Sequence, residues 1–124
     1  MKKILLIEDD LLLVDIYSTK LKQSGFEVFV EQSGEKALAA AEEQQPDLVL
    51  LDIVLPHLEG WDILQNLRAS EKLKGARIVI LSNLGQKEEI AKGLALGAAK
   101  YLIKAHYTPS EIVQEIINLI GNPS

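Results

Sequence analysis

The sequence predicts an α/β protein: a five-stranded parallel sheet with helices on both faces. Three observations predict it. Four short apolar runs, Ile4–Ile7, Leu48–Leu51, Ile78–Leu81 and Tyr101–Ile103, do not alternate with polar residues, which is the pattern of strands buried on both faces. The segments between them carry apolar residues at helical spacing. The two kinds of segment also alternate along the whole chain, which implies parallel pairing through helical crossovers.

Each element has its own justification. Phe26–Val30 (Phe-Glu-Val-Phe-Val) is a more mixed run and suits an edge strand. Leu13, Ile16, Tyr17 and Leu21 share a helical face, and Gly25 stands where a C-terminal cap belongs. Ser33 is placed to cap a helix over Glu35–Glu43, which is rich in Ala and Glu. Trp61, Leu64 and Leu67 mark a third helix; Ile90 and Leu94, followed by Gly97, mark a fourth. The last helix opens on Thr108-Pro109-Ser110-Glu111, a Thr cap with Pro at the first helical position and Glu completing a capping box. It carries Ile112, Val113, Ile116, Ile117 and Ile120, and stops at Gly121-Asn122-Pro123.

Composition narrows the function classes. The 124 residues carry 13 Lys and Arg against 18 Asp and Glu, a net charge of −5, and no cysteine. That length fits one domain, expected to span residues 1–124 and to leave no room for an output domain. Without cysteine there is no disulfide framework and no thiolate zinc site. The acidic balance argues against direct binding to nucleic acid or to an anionic membrane surface. Met1-Lys2-Lys3 and Ile4–Ile7 look like the start of a signal peptide, but Glu8-Asp9-Asp10 ends the apolar run well short of the 7–15 residues or so required. No stretch approaches the roughly 20 apolar residues of a membrane span. A cytoplasmic protein is the expectation.

The chemistry lies at the strand ends. Glu8-Asp9-Asp10 follows the first run and Asp52 the third. Open parallel sheets bind ligands beyond the carboxyl ends of their strands, where the strand order reverses. In a sheet ordered 2-1-3-4-5 that point lies between the first and third strands, so these acids face one another. Two unit charges about 4 Å apart repel by roughly 4 kcal/mol at an effective dielectric of 20. Either a proton is retained or a cation sits among them. All-oxygen ligands favour a hard cation, and Mg²⁺ accepts few protein ligands plus several waters. The inference is an Mg²⁺ site at Glu8, Asp9 and Asp52; the alternative is a set of solvated acids. Ser82 follows the fourth run and Lys104 the fifth. Alone, each reads as an ordinary loop or surface residue. Together, a metal, an ammonium and a hydroxyl form a site for a phosphoryl group.

These pieces resemble the receiver domains of two-component response regulators. The resemblance runs over essentially the whole chain: Ile4–Asp10, Asp47–Pro56 with Gly60, Ile78–Ser82 and Gly97–Lys104. It implies the (βα)5 flavodoxin-like fold; the 2-1-3-4-5 order is the one known for chemotaxis members of this family and comes with the resemblance. It further implies that Asp52 accepts a phosphoryl group from the phosphohistidine of a histidine kinase or histidine phosphotransfer protein. Glu8 and Asp9 would hold Mg²⁺ with Asp52 and the backbone carbonyl of Val54, Asp9 as a direct ligand. Lys104 would pair with the phosphoryl group, and Ser82 would hydrogen-bond it and move toward it. Tyr101 would change rotamer with that movement and alter the surface of the fourth helix, fifth strand and fifth helix, so controlling a downstream protein effector. Slow autodephosphorylation would reset the switch.

The chain departs from the family pattern at several positions. Lys104-Ala105 stands where Lys-Pro is usual, and that proline bond is commonly cis; a cis bond before Ala105 would cost about 3–4 kcal/mol. Asn83 replaces a smaller residue and is expected to narrow access to Asp52. Val54 and Leu84 are apolar where polar side chains are common, which predicts an altered phosphoryl lifetime. His57 and His106 read as loop residues near the site rather than metal ligands, Leu58 and Trp61 as packing for the third helix with a docking contact the alternative for an exposed Trp61, and Asp10 as a favourable start to the first helix with tuning of the metal site the alternative. Leu11 and Leu12 are either partner-facing or loosely packed under the loops. Lys100 and the lack of Arg or Lys in the last helix disfavour a dimer through acid–base pairs on the output surface. A monomer is expected, with a phosphorylation-dependent dimer left open.

Other classes fit less well. A haloacid-dehalogenase-type phosphatase needs a second Asp two positions after the first, where this chain has Val54. A flavodoxin or dinucleotide-binding protein needs a phosphate loop after the first strand, where this chain has three acids. A phosphorylation-independent pseudo-receiver and a phosphorelay intermediate remain open.

Overall fold

The computed structural model describes residues 1–55 and 58–124, with only the backbone given at 55, 58 and 59. Five parallel strands form one sheet: β1 (Lys3–Ile7), β2 (Glu27–Glu31), β3 (Leu48–Leu51), β4 (Arg77–Ser82) and β5 (Lys100–Ile103). Their spatial order is β2-β1-β3-β4-β5. The helices are α1 (Leu11–Gln23), α2 (Ala37–Gln44), α3 (Gly60–Ala69), α4 (Lys87–Ala95) and α5 (Pro109–Ile120). A short antiparallel ladder pairs Val54–Leu55 with Leu58–Glu59. His57, read above as a loop residue, and the side chain of Leu58 lie outside the described residues.

The central strands are buried on both faces, as their unbroken apolar runs require. All four residues of β3 are inaccessible to solvent. One face of the sheet, including Leu5, Ile7, Val49, Leu51 and Ile80, packs against α2 and α3. The other, including Ile4, Leu6, Leu50, Leu81 and Leu102, packs against Tyr17 and Leu21 of α1 and Ile112, Val113 and Ile116 of α5. Burying a Leu or Ile side chain stabilises by about 1.5–3 kcal/mol, so this doubly covered sheet fixes the strand register. Among the described residues no helix is long and apolar enough to cross a membrane.

The helix starts and stops mostly follow the sequence. Asp10 caps α1 through Oδ1, which accepts the N–H groups of Leu12 (2.9 Å) and Leu13 (3.3 Å). Gly25 and Gly97, with φ of +103° and +110°, follow α1 and α4 in conformations that favour glycine. Thr108 and Glu111 form the expected capping box, with Pro109 at the start of α5. Three expectations need correction. Ser33 makes no side-chain cap: a 3₁₀ turn over Gly34–Lys36 precedes α2, and the Ser33 carbonyl, not its hydroxyl, accepts Lys36 N–H. Ile16 and Leu94 face solvent, because Tyr17, Ser18 and Leu21 supply the buried face of α1 and Gly93 that of α4. Leu11 and Leu12 are each 67% exposed, so they do not pack under the loops.

Gly60 holds the loop after Asp52 against the sheet. Its N–H donates to the Ile53 carbonyl at 3.0 Å. A Cβ built there would stand 2.1 Å from Ile53 Cα and 2.2 Å from its carbonyl oxygen, both backbone atoms. Gly60→Ala is therefore expected to cost about 2–3 kcal/mol in a denaturant-unfolding measurement; wild-type stability would show that the loop yields freely.

Candidate functional site

Parallel pairing in register brings the chemical residues together. Ile7 pairs with Leu51, Leu51 with Ile80, and Ser82 with Ile103. The residues at or just past these positions therefore emerge side by side at the carboxyl edge of the sheet. Glu8, Asp9, Asp52, Val54, Ser82 and Lys104 all line one cleft, with Asp10, Leu13, Asn83 and Leu84. Asp52 N–H continues the ladder by donating to the Ile7 carbonyl at 3.0 Å.

Lys104 is the hub. Its Nζ lies 2.9 Å from Glu8 Oε1 and 2.9 Å from Asp52 Oδ2, with the side chains of Glu8 and Asp52 only 1% and 7% exposed. The Lys104–Ala105 bond is trans, and a 3₁₀ turn over Lys104–His106 replaces any proline-dependent loop. The other carboxylate oxygens are held by backbone: Glu8 Oε2 accepts Asp9 N–H (3.1 Å) and Asp10 N–H (3.2 Å), and Asp52 Oδ1 accepts Val54 N–H (2.9 Å). Oxygens of Glu8, Asp9 and Asp52 all lie within 4.8 Å of one another.

One ammonium does not balance two buried carboxylates. Burial pushes the Glu8 carboxyl up to about 7; the Lys104 hydrogen bond pulls it down and the Asp52 charge pushes it up again. For Lys104, burial lowers the pKa, but hydrogen bonds to Glu8 and Asp52 outweigh it and leave the ammonium above its ordinary value. The two directions compete, since a protonated Glu8 gives Lys104 less. The Glu8 carboxyl is the group pushed up, because it is almost fully removed from solvent and shares Lys104 with Asp52. An excess of buried carboxylate charge with an all-oxygen donor set fits a hard divalent cation.

Ser82 is fully buried at the end of β4, and its Oγ accepts Leu84 N–H at 3.1 Å. Tyr101 stands outside the cleft but is joined to it: its hydroxyl donates to the Leu84 carbonyl. Val54 and Leu84 are 57% and 37% exposed at the cleft rim, and Asn83 is exposed beside them. His106 is exposed and is not part of the cleft. Sequence reasoning gave Tyr17 a packing role only. It is buried beneath the site, with its hydroxyl pKa raised first by burial and then modulated by Lys104, Glu8 and Asp52. Its helical periodicity carried no sign of that proximity.

The fold defines a class, the response regulator receiver domain. Residues 4–117 match the model of the response regulator receiver domain; the chain belongs to this family and so to two-component signalling. It is 41% identical over 102 residues, 82% of its length, to the probable transcriptional regulatory protein SilR of Salmonella typhimurium. Among solved structures it is similar to a CheY-like receiver domain protein of Methanospirillum hungatei (TM-score 0.89, 26% identity, 97% of this chain and 94% of that one). It is also similar to the receiver domain of a sensor histidine kinase of Pseudomonas aeruginosa, which holds a magnesium ion in its active-site cleft (TM-score 0.86, 27% identity, 98% of each chain). The chain spans about half the length of the curated relatives it matches, 44% in the case of SilR.

The Glu8 shift has a definite pH signature. A carboxyl whose pKa rises on folding contributes stability that is complete below its unfolded value and is lost as pH rises through its folded value. In metal-free buffer, thermal stability is expected to fall between about pH 4.5 and 7, by at most about 3 kcal/mol from this group. Glu8→Gln should flatten the profile, and so should millimolar Mg²⁺. An unchanged slope in Glu8→Gln would contradict the assignment.

Proposed function

We propose that the chain is a phosphorylation-dependent signalling switch in which Asp52 accepts a phosphoryl group from the phosphohistidine of a histidine kinase or histidine phosphotransfer protein. The observation that carries this reading is the Lys104 ammonium at 2.9 Å from both Glu8 and Asp52, in a cleft where strand ends converge. The carboxylate plane of Asp52 is fixed from two sides, by Val54 N–H on one oxygen and Lys104 on the other. An Asp52 oxygen attacks phosphorus, the phosphorus–nitrogen bond breaks and imidazole leaves, giving an acyl phosphate. Asp is a weak nucleophile, so rate comes from positioning and charge neutralisation.

Glu8, Asp9 and Asp52, with the Val54 carbonyl, would hold Mg²⁺, which neutralises phosphoryl oxygens when bound. Lys104 shifts from the carboxylates to a phosphoryl oxygen, and Ser82 supplies a hydroxyl donor to another. Release of the Ser82 Oγ from Leu84 N–H disturbs the Leu84 carbonyl that Tyr101 grips, and so carries the change to the face of α4, β5 and α5. That face would act on a protein effector rather than on nucleic acid. Lys100 is already paired with Glu115 of its own chain at 2.6 Å, in keeping with a monomer. The reading takes residues 1–124 as one receiver unit in the cytoplasm. The likeness to a sensor-kinase receiver favours a phosphorelay role as the second reading.

Incubation with acetyl phosphate and Mg²⁺ is expected to give a single phosphate-sized mass increase that is lost in Asp52→Asn and after chelation. Lys104→Ala should slow adduct formation by about 10²-fold, the scale for removing one preorganised charge-stabilising donor. An adduct that survives in Asp52→Asn would refute the proposal. Val54→Asn and Leu84→Glu replace the apolar rim with polar groups and should change the adduct decay rate; unchanged decay in both would remove the rim from the account.

A further inference from the structure

α4 buries fewer of its own residues than any other helix. Gly93 is its only buried residue, whereas α5 buries Ile112, Val113 and Ile116. Leu94 is 47% exposed. A glycine contributes no apolar side chain to burial and weakens the helix that contains it.

What Gly93 supplies is proximity. A Cβ built on it would lie 2.6 Å from Ile80 Cδ1, 3.0 Å from Tyr101 Cδ2 and 3.5 Å from Trp61 Cζ3. The α4 backbone thus rests on a floor made by β4, β5 and α3. Next to it, Lys92 Nζ stands 4.8 Å from the centre of the Trp61 ring, a cation–π contact that ties α4 to α3. This seat is also wired to the cleft. Ser82 Oγ holds Leu84 N–H, the Leu84 carbonyl holds the Tyr101 hydroxyl, and the Tyr101 ring bounds Gly93.

We propose that Gly93 and Trp61 are positioning residues of the switch: the glycine contact sets the resting position of α4, and the Trp61 ring, clasped by Lys92, is the seat that α4 leaves when Tyr101 moves. The inference rests on the reading of Asp52 as the phosphorylated residue for its trigger, but not for the seat itself. A helix that buries a single glycine and is clasped by one cation–π pair opens locally at low cost, and a methyl group added at Gly93 would press on the Ile80 and Tyr101 side chains beneath it.

Trp61 is the only tryptophan, so its emission reports the seat directly. The test uses the full chain, with adduct formation followed in parallel by intact mass. Adduct formation is expected to shift Trp61 emission in proportion to the phosphorylated fraction. Gly93→Ala, without any phosphoryl donor, should move the emission toward the phosphorylated value and speed amide exchange at residues 87–95 at least about threefold, leaving α2 and α5 unchanged. Lys92→Met, which adds no bulk against the sheet, should do the same and stands in if Gly93→Ala does not fold. An adduct that forms with no change in Trp61 emission overturns the inference alone. Wild-type emission and α4 exchange in the variants also overturn it. Failure of the wild-type chain to form an adduct counts against Asp52, while the variants still decide the seat.

Discussion

A single partly buried ammonium shared between two buried carboxylates is the interaction on which the rest of the site depends. Lys104 lies just past the last strand of the sheet and Glu8 and Asp52 just past two inner ones, with β4 between. They meet only because the parallel register ends all these strands at one level. Removing one member of a buried charge cluster leaves the others uncompensated, which generally costs about 3–5 kcal/mol. The cluster is nevertheless unbalanced, and the raised Glu8 carboxyl records the deficit of positive charge. The fold holds a site whose resting electrostatics are incomplete, and a cation or a rearranged lysine changes its energy sharply.

That sensitivity has a route outward. On the β4 side a chain of hydrogen bonds leaves the cleft through the short segment after Ser82. One hydroxyl holds Leu84, and Leu84 holds Tyr101. Tyr101 adjoins the one helix whose buried face is a glycine. The opposite face of the sheet, with α1 and α5, is filled by large aliphatic side chains and offers no such compliance. Buried aliphatic side chains on both faces of the sheet keep the strand ends aligned, and α4, which buries only a glycine, is the element proposed to respond.

Much of this was legible in the sequence, for physical reasons. Unbroken apolar runs identify strands covered on both faces, and charged or polar residues directly after them mark the sheet edge. Asp52, Glu8, Asp9, Ser82 and Lys104 were all found that way, and one cleft gathers them. The capping box of α5 was readable because its residue types each have one local task. What sequence could not show was three-dimensional crowding. Nothing in its neighbours says that Gly60 lies against the Ile53 backbone or that Gly93 replaces the apolar contact assigned to Leu94. Ser33 failed as a cap because a 3₁₀ turn uses its carbonyl instead. The absence of proline after Lys104 did not displace the lysine: a 3₁₀ turn with trans bonds delivers the ammonium to the acids.

The most direct test of the central claim is chemical identification of the phosphorylated atom's residue. An acyl phosphate on a carboxylate is reduced by borohydride to an alcohol, which converts aspartate into homoserine. The chain, treated with acetyl phosphate and Mg²⁺, then reduced and sequenced as peptides by mass spectrometry, should carry homoserine at position 52 alone. Homoserine at position 9 or 10, the reduced glutamate alcohol at position 8, or no reduced residue despite a phosphate-sized adduct, would contradict the account.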